Sequence, residues 1–150
     1  TMKKLPILLC VFSLSACAPS EVPYDNLLER NGIKYEINSQ TPFAGVATVY
    51  YESGQLEFKG TYKGGKRNGI YEEYYESGQL RWKETYKGGK RNGLYESYYE
   101  NGQLDHKTTY KDGKLNGLWE GYTENGQEYG FSPVCYKNHE KVDISKCKSL

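Results

Sequence analysis

Ile70-Tyr71-Glu72-Glu73-Tyr74-Tyr75-Glu76-Ser77-Gly78-Gln79-Leu80-Arg81-Trp82-Lys83-Glu84-Thr85-Tyr86-Lys87-Gly88-Gly89-Lys90-Arg91-Asn92-Gly93 is the stretch whose reading decides the fold. It is one copy of a repeat. Residues 46–69 carry the same residue at most positions, including the whole run Thr61-Tyr62-Lys63-Gly64-Gly65-Lys66-Arg67-Asn68-Gly69. Ser53-Gly54-Gln55-Leu56, Ser77-Gly78-Gln79-Leu80 and Asn101-Gly102-Gln103-Leu104 recur at a step of 24 residues. Asn125-Gly126-Gln127 continues the series, with Glu128 in place of the Leu. A second marker keeps the same step: Asn68-Gly69, Asn92-Gly93 and Asn116-Gly117.

Each unit reads as two strands and two turns. In residues 70–93 a Tyr-rich strand runs from Ile70 to Glu76, and Ser77-Gly78 turns the chain. A second strand follows from Leu80 to Tyr86, and Gly88-Gly89 with Asn92-Gly93 makes the next connection. Alternation assigns the faces of the second strand. Leu80, Trp82 and Tyr86 share one side, as do Leu56, Phe58, Tyr62 and Leu104, His106, Tyr110; Arg81, Lys83 and Thr85 take the other. The first strand mixes Tyr and Glu on both sides, so its inner face stays open. The fold expected is all-β: an elongated antiparallel β-meander of repeated hairpins advancing about 10 Å per unit. A lone hairpin is marginal, so neighbours must stabilise one another and the ends need caps.

Working outward, residues 27–45 read as an N-terminal capping hairpin, with Asn31-Gly32 as a type I′ turn between Leu27–Arg30 and Ile33–Ile37. The repeat domain is placed at 46–130 and a C-terminal cap at 131–150. Composition agrees. With 150 residues there is room for one domain and one modest core. The chain is 37% hydrophobic, with 16 Tyr and 17 Gly against 4 Phe, which suits short strands and tight turns rather than a helical bundle. A formal charge of +1 gives no footprint for nucleic acid.

The N-terminus reads as an address. Met2 is taken as the start, followed by Lys3-Lys4 and an apolar run from Leu5 to Leu14 that is too short to span a bilayer. An ordinary signal peptide cleaved after a small residue fits this pattern. The quartet Leu14-Ser15-Ala16-Cys17, however, resembles the lipobox of bacterial lipoproteins. That resemblance implies a signal peptide over 1–16, lipid on Cys17, and membrane attachment through that lipid. Residues 17–26 then serve as a lipidated tether, with Pro19 and Pro23 in it. With Ala18 after the Cys, a Gram-negative host would sort the chain to the outer membrane, facing the periplasm. Processing removes two lysines and no acid, leaving one more acid than base. Cys135 and Cys147 remain in an oxidising compartment and are expected to form a disulfide closing a short loop.

Tyr-Tyr-Glu-Ser/Asn-Gly-Gln-Leu, then Lys-x-x-Tyr-Lys-x-Gly-Lys, then Asn-Gly, resembles the MORN-repeat variant. More closely it is similar to bacterial proteins labelled YwqK-family antitoxins, with Asn31-Gly32-Ile33-Lys34-Tyr35 and Thr41-Pro42-Phe43-Ala44-Gly45 resembling their first segment. The resemblance covers about residues 27–130. It implies an extended sheet used for protein contacts, dimerisation or lipid-head-group contact, and a toxin as one class of partner. A cytoplasmic antitoxin conflicts with export, whereas an envelope immunity protein does not.

Chemistry is sparse. His106 takes the slot of Phe58 and Trp82 and reads as a sheet-face ring. His139, four residues after Cys135, suggests a nucleophile pair less well than a disulfide beside a surface His. No metal spacing and no cofactor motif stand out. Glu72, Glu96 and Glu120 recur in every unit, as do Lys59, Lys83 and Lys107, which indicates cross-strand architecture rather than one asymmetric active site. A non-enzyme is therefore expected. The candidate binding face is aromatic: Tyr50, Tyr74, Tyr98 and Tyr122 at one repeat position, and Tyr71, Tyr95 and Trp119 at another. These rings either build the sheet's own packing or form a platform for a protein partner, an envelope glycan, a lipid head group or a second copy of the chain.

Overall fold

The computed structural model describes residues 20–149. The signal peptide and the lipid-acceptor Cys17 read from the sequence lie outside the described residues. Thirteen strands make the described chain: β1 (Glu21–Pro23), β2 (Leu27–Arg30), β3 (Ile33–Glu36), β4 (Gly45–Tyr50), β5 (Leu56–Lys63), β6 (Lys66–Tyr74), β7 (Leu80–Lys87), β8 (Lys90–Tyr98), β9 (Leu104–Lys111), β10 (Lys114–Leu115), β11 (Gly117–Gly121), β12 (Val134–Lys137) and β13 (Glu140–Val142). One sheet runs in the order β1-β4-β5-β6-β7-β8-β9-β11-β12-β13, with β10 also on β9, and β2 and β3 form a separate hairpin. From β4 to β9 every pairing is antiparallel between chain neighbours, the expected meander, and β9 then pairs with both β10 and β11.

Two kinds of turn alternate. Gly54, Gly78, Gly102 and Gly126 all sit near φ 85° (86°, 85°, 84° and 82°), so the fourth copy keeps its turn although Glu128 replaces the Leu. At the opposite end of the hairpins, Gly64-Gly65 and Gly88-Gly89 have both φ positive, and Asp112-Gly113 does the same at 51° and 87°. Such two-residue turns match the right-handed twist of the flanking strands. Asn31 and Gly32, at 51° and 76°, make the N-terminal hairpin in the same way. The connection after Tyr86 is therefore Gly88-Gly89 alone. Asn92-Gly93, expected in the turn, lies inside β8. There Gly93 takes φ 121° where the β7–β8 register slips between Glu84 and Tyr86.

Repeat-to-repeat ties close both margins of the sheet. The hydroxyls of Tyr51, Tyr75 and Tyr99 donate to the backbone carbonyls of Tyr74, Tyr98 and Tyr122, one unit on, at 2.7, 2.9 and 2.9 Å. On the other margin, the N–H groups of Gly65, Gly89 and Gly113 donate to the carbonyls of Phe43, Arg67 and Arg91 at 2.7–2.8 Å. Each unit is thus held by its neighbour, as a quasi-linear repeat requires.

Two further expectations need correction, and one open assignment is settled. Residues 17–26 are not all tether: Glu21–Pro23 pair in parallel with Val46–Thr48, extending the sheet by one strand. Leu80 does not share a face with Trp82. The register slips between Glu73↔Trp82 and Tyr74↔Leu80, so Arg81 is an extra, bulged residue and Leu80 lies opposite Tyr74 on the other side. The same slip recurs at Tyr50↔Leu56 and Tyr98↔Leu104. The first strand also acquires a definite face. Tyr71 stands opposite Gly60 and Glu84, which places it with Phe58, Tyr62, Trp82 and Tyr86.

The core lies on that side and in the N-terminal half. Leu27 and Phe43 from the capping segment are buried against Ala47, Tyr62, Tyr71 and Tyr86, with Val22, Tyr24, Phe58 and Trp82 packed around them. Tyr71 is fully buried. A side chain at Gly60 would run into its ring, so this glycine serves close approach rather than a turn. At the far end β12 and β13 continue the sheet, and the expected Cys135–Cys147 disulfide ties β12 to the last turn, with Cα atoms 5.9 Å apart. Both edge strands, β1 and β13, are three residues long and carry Pro23 or the charges of Glu140 and Lys141, which discourages edge-to-edge pairing.

Candidate functional site

The two faces of the sheet differ in what covers them. On the core side the N-terminal hairpin seals the first units. Lys34 N–H donates to the Gly65 carbonyl and Phe43 N–H to the Lys34 carbonyl, which lays the cap across β5 and β6. Beyond the cap a polar chain takes over. Arg67 lies over the rings of Tyr71 and Tyr86, its guanidinium donates to the Tyr86 hydroxyl at 3.0 Å, and that hydroxyl donates to Glu84 at 2.7 Å. Glu84, only 2% exposed, is neutralised by Arg91 Nε at 2.6 Å. A buried carboxylate needs such a partner. Its signal in the sequence was the acid at position 84, where the other two units place Gly60 and Thr108.

Past Arg91 the same side opens to solvent, and the rings change their packing. Tyr95 stacks on His106 (centroids 5.3 Å, 29°) and His106 on Trp119 (5.8 Å, 29°). Trp119, Tyr129 and Phe131 are parallel to within 12°. The loop bearing Tyr129 and Phe131 is pinned onto β11: Tyr129 N–H donates to the Gly121 carbonyl, and Gly121 N–H to the Ser132 hydroxyl. Neither ring recurs in the other units, since Tyr129 stands where they have Glu57, Arg81 and Asp105 and Phe131 lies in the C-terminal cap, so no period revealed them.

The opposite face carries three rows. The middle row alternates Lys59, Glu72, Lys83, Glu96, Lys107 and Glu120 across successive strands. Lys59 lies 2.9 Å and Lys83 3.7 Å from Glu72, and Lys107 lies 2.8 Å from Glu120. Burial alone would raise the Glu72 carboxyl. Hydrogen bonds from Lys59 and Tyr74, with the charges of both lysines, outweigh it and hold the pKa below the ordinary carboxylate range. Tyr50, Tyr74, Tyr98 and Tyr122 form the row on one side of this ladder. On its other side Ile70, Leu94 and Leu118 are exposed at 46%, 46% and 36%. A shallow groove of about 870 Å³ runs along this face, lined by Leu94, Glu96, Lys107, Thr109, Leu118 and Glu120 among others.

The seven candidate aromatic residues therefore do not share one surface. Tyr50, Tyr74, Tyr98 and Tyr122 lie on the ladder face, and Tyr71, Tyr95 and Trp119 on the core side. Tyr71 is closed to any partner because the cap and its neighbouring rings enclose it. Cys135 is buried in its disulfide, which removes it as a thiolate, and His139 Nδ1 accepts from Leu115 N–H in a turn. Among the described residues no group of three His, Cys, Asp or Glu side chains has the arrangement of a metal site.

The geometry defines a class: a linear array of β-hairpin repeats with the N-terminal cap on one face and the disulfide-held C-terminal segment at the end of the other. Three stretches, residues 44–63, 67–87 and 91–112, match the family described as MORN repeat variant. Their spacing follows the 24-residue step, and the fourth, altered copy falls outside the match. No curated protein and no solved structure matches the chain.

Proposed function

We propose that this chain is a non-enzymatic repeat scaffold that binds a protein partner on its ladder face, held at the envelope by lipid on Cys17. One observation carries the reading. The repeat preserves, on the face opposite the N-terminal cap, a row of exposed Ile70, Leu94 and Leu118 beside a regular Lys/Glu ladder and a Tyr row. Isolated exposed apolar residues are ordinary, but aligned apolar and Tyr rows on either side of a charged ladder form a continuous, regularly patterned surface that suits a protein contact. The three MORN-variant matches support a repeat scaffold.

The test is affinity capture from intact envelopes with wild type and with Tyr74→Ala/Tyr98→Ala, both shown folded by their β-sheet circular dichroism. Loss of a specific partner in the variant supports the reading, and an unchanged partner profile refutes it. Palmitate labelling that disappears in Cys17→Ser would support the anchor; equal labelling would exclude it.

A further inference from the structure

The aromatic surface at the C-terminal end lies on the other side of the sheet from the ladder, and its geometry suits a different ligand. The centroids of Trp119, Tyr129 and Phe131 are 6.3, 5.9 and 5.4 Å apart. Rings in a three-layer column would place the outer pair about 7 Å apart, given carbon contacts of about 3.5 Å. These parallel rings are therefore offset along the sheet rather than piled in one column. Gly121 explains why they lie down. A Cβ there would run into the six-membered ring of Trp119 and come 2.7 Å from Tyr129 Cδ2. With no side chain at 121, both rings spread along the sheet over the glycine. Phe131 finishes the surface and is 68% exposed.

A polar edge borders these rings. The register slip between Ser97↔His106 and Tyr98↔Leu104 makes Asp105 the bulged residue, and bulges re-aim side chains. Its carboxylate is turned to the His106 side, where Oδ2 meets His106 Nδ1 at 2.8 Å and accepts from the Ser97 hydroxyl at 3.2 Å. Asp105 remains partly open, its side chain 29% exposed. The hydroxyls of Tyr99 and Tyr129 meet at 3.0 Å on the same margin.

We propose that His106, Trp119, Tyr129 and Phe131, edged by Asp105, form a binding site for a neutral β-linked oligosaccharide. A pyranose with equatorial substituents has a flat C–H face that lies on parallel rings, and hydroxyls around its rim that a carboxylate accepts from. The negative charge of Asp105 complements those donors and disfavours acidic sugars. This site is independent of the ladder face, so its failure leaves the scaffold reading standing.

Isothermal titration of the full chain with chitohexaose and with cellohexaose tests it. Saturable binding to at least one is expected, weakened at least tenfold by Phe131→Ala and unchanged by Tyr50→Ala on the opposite face. Phe131→Ala should retain the wild-type urea midpoint, which separates loss of ligand contact from loss of fold. Asp105→Asn, a second variant that keeps the shape, should weaken binding several-fold. Absence of saturable binding to both oligosaccharides, or equal binding by Phe131→Ala, would overturn the proposal.

Discussion

The two halves of the sheet use equivalent repeat positions for opposite ends. In the N-terminal half, Tyr24, Phe43, Phe58, Tyr62, Tyr71, Trp82 and Tyr86 meet at interplanar angles of 49–89°, the tilted packing of an enclosed core. In the C-terminal half Tyr95 still meets Tyr110 at 71°, but the contacts from Tyr95 through His106 and Trp119 to Phe131 lie at 6–29°, and the last ring faces water. Tyr71 and Trp119 occupy the same repeat slot two units apart. What separates them is cover. Leu27 and Phe43 close over the first, whereas the second has only its own loop. A repeat thus fixes where a ring is placed, and the non-repeating ends decide whether it becomes core or surface.

The comparison breaks most readily at its buried end. Tyr71→Ala should lower unfolding free energy by about 3–5 kcal/mol, the cost of emptying an aromatic core site, in urea titration. Tyr95→Ala, half-buried in the same slot, should cost clearly less. Equal losses would mean that the cap does not distinguish the halves. Next comes Cys147→Ser. Opening the loop to Cys135 should cost about 3 kcal/mol by the chain-entropy estimate. Hydrogen exchange should then rise first in β12 and β13. Tyr75→Phe removes one repeat-to-repeat tie and should cost about 1 kcal/mol, since the Tyr98 carbonyl loses its donor. A loss near zero would show that such ties do not couple neighbouring units.

The smallest effect is electrostatic. Glu72 has a depressed pKa in the folded chain, so its contribution is present above the unfolded-state value and is lost as pH falls through the folded one. Stability should therefore decline on acidification below about pH 4, and less steeply in Glu72→Gln. Identical acid limbs for the two proteins would remove the ladder from the stability account.

Much of this architecture was legible because its signals are local. The 24-residue step, the Gly-containing turns, the Lys/Glu ladder and the Cys135–Cys147 pair follow from spacing and residue type. Phe58, Trp82 and His106 declared their face through period-two alternation. Other features were hidden for physical reasons. Tyr71 and Tyr74, three residues apart, must lie on opposite faces, but which of them points inward was hidden because their strand carries Tyr and Glu on both. Leu80 obeyed the alternation and still changed sides, because the bulge at Arg81 is a property of pairing with β6. The strand at Glu21–Pro23 depends on a parallel contact with residues 25 positions away, which no window of local sequence contains. Tyr129 and Phe131 have no aromatic counterpart in the other units, and only the fold brings them beside Trp119.

Hydroxyl-radical footprinting of the folded full chain, read ring by ring by mass spectrometry, tests the division between the halves most directly. The account predicts rapid modification of Phe131 with Tyr71 protected to the level of the unfolding equilibrium. Protection of Phe131 comparable to that of Tyr71, or ready modification of Tyr71 in the folded chain, would contradict it.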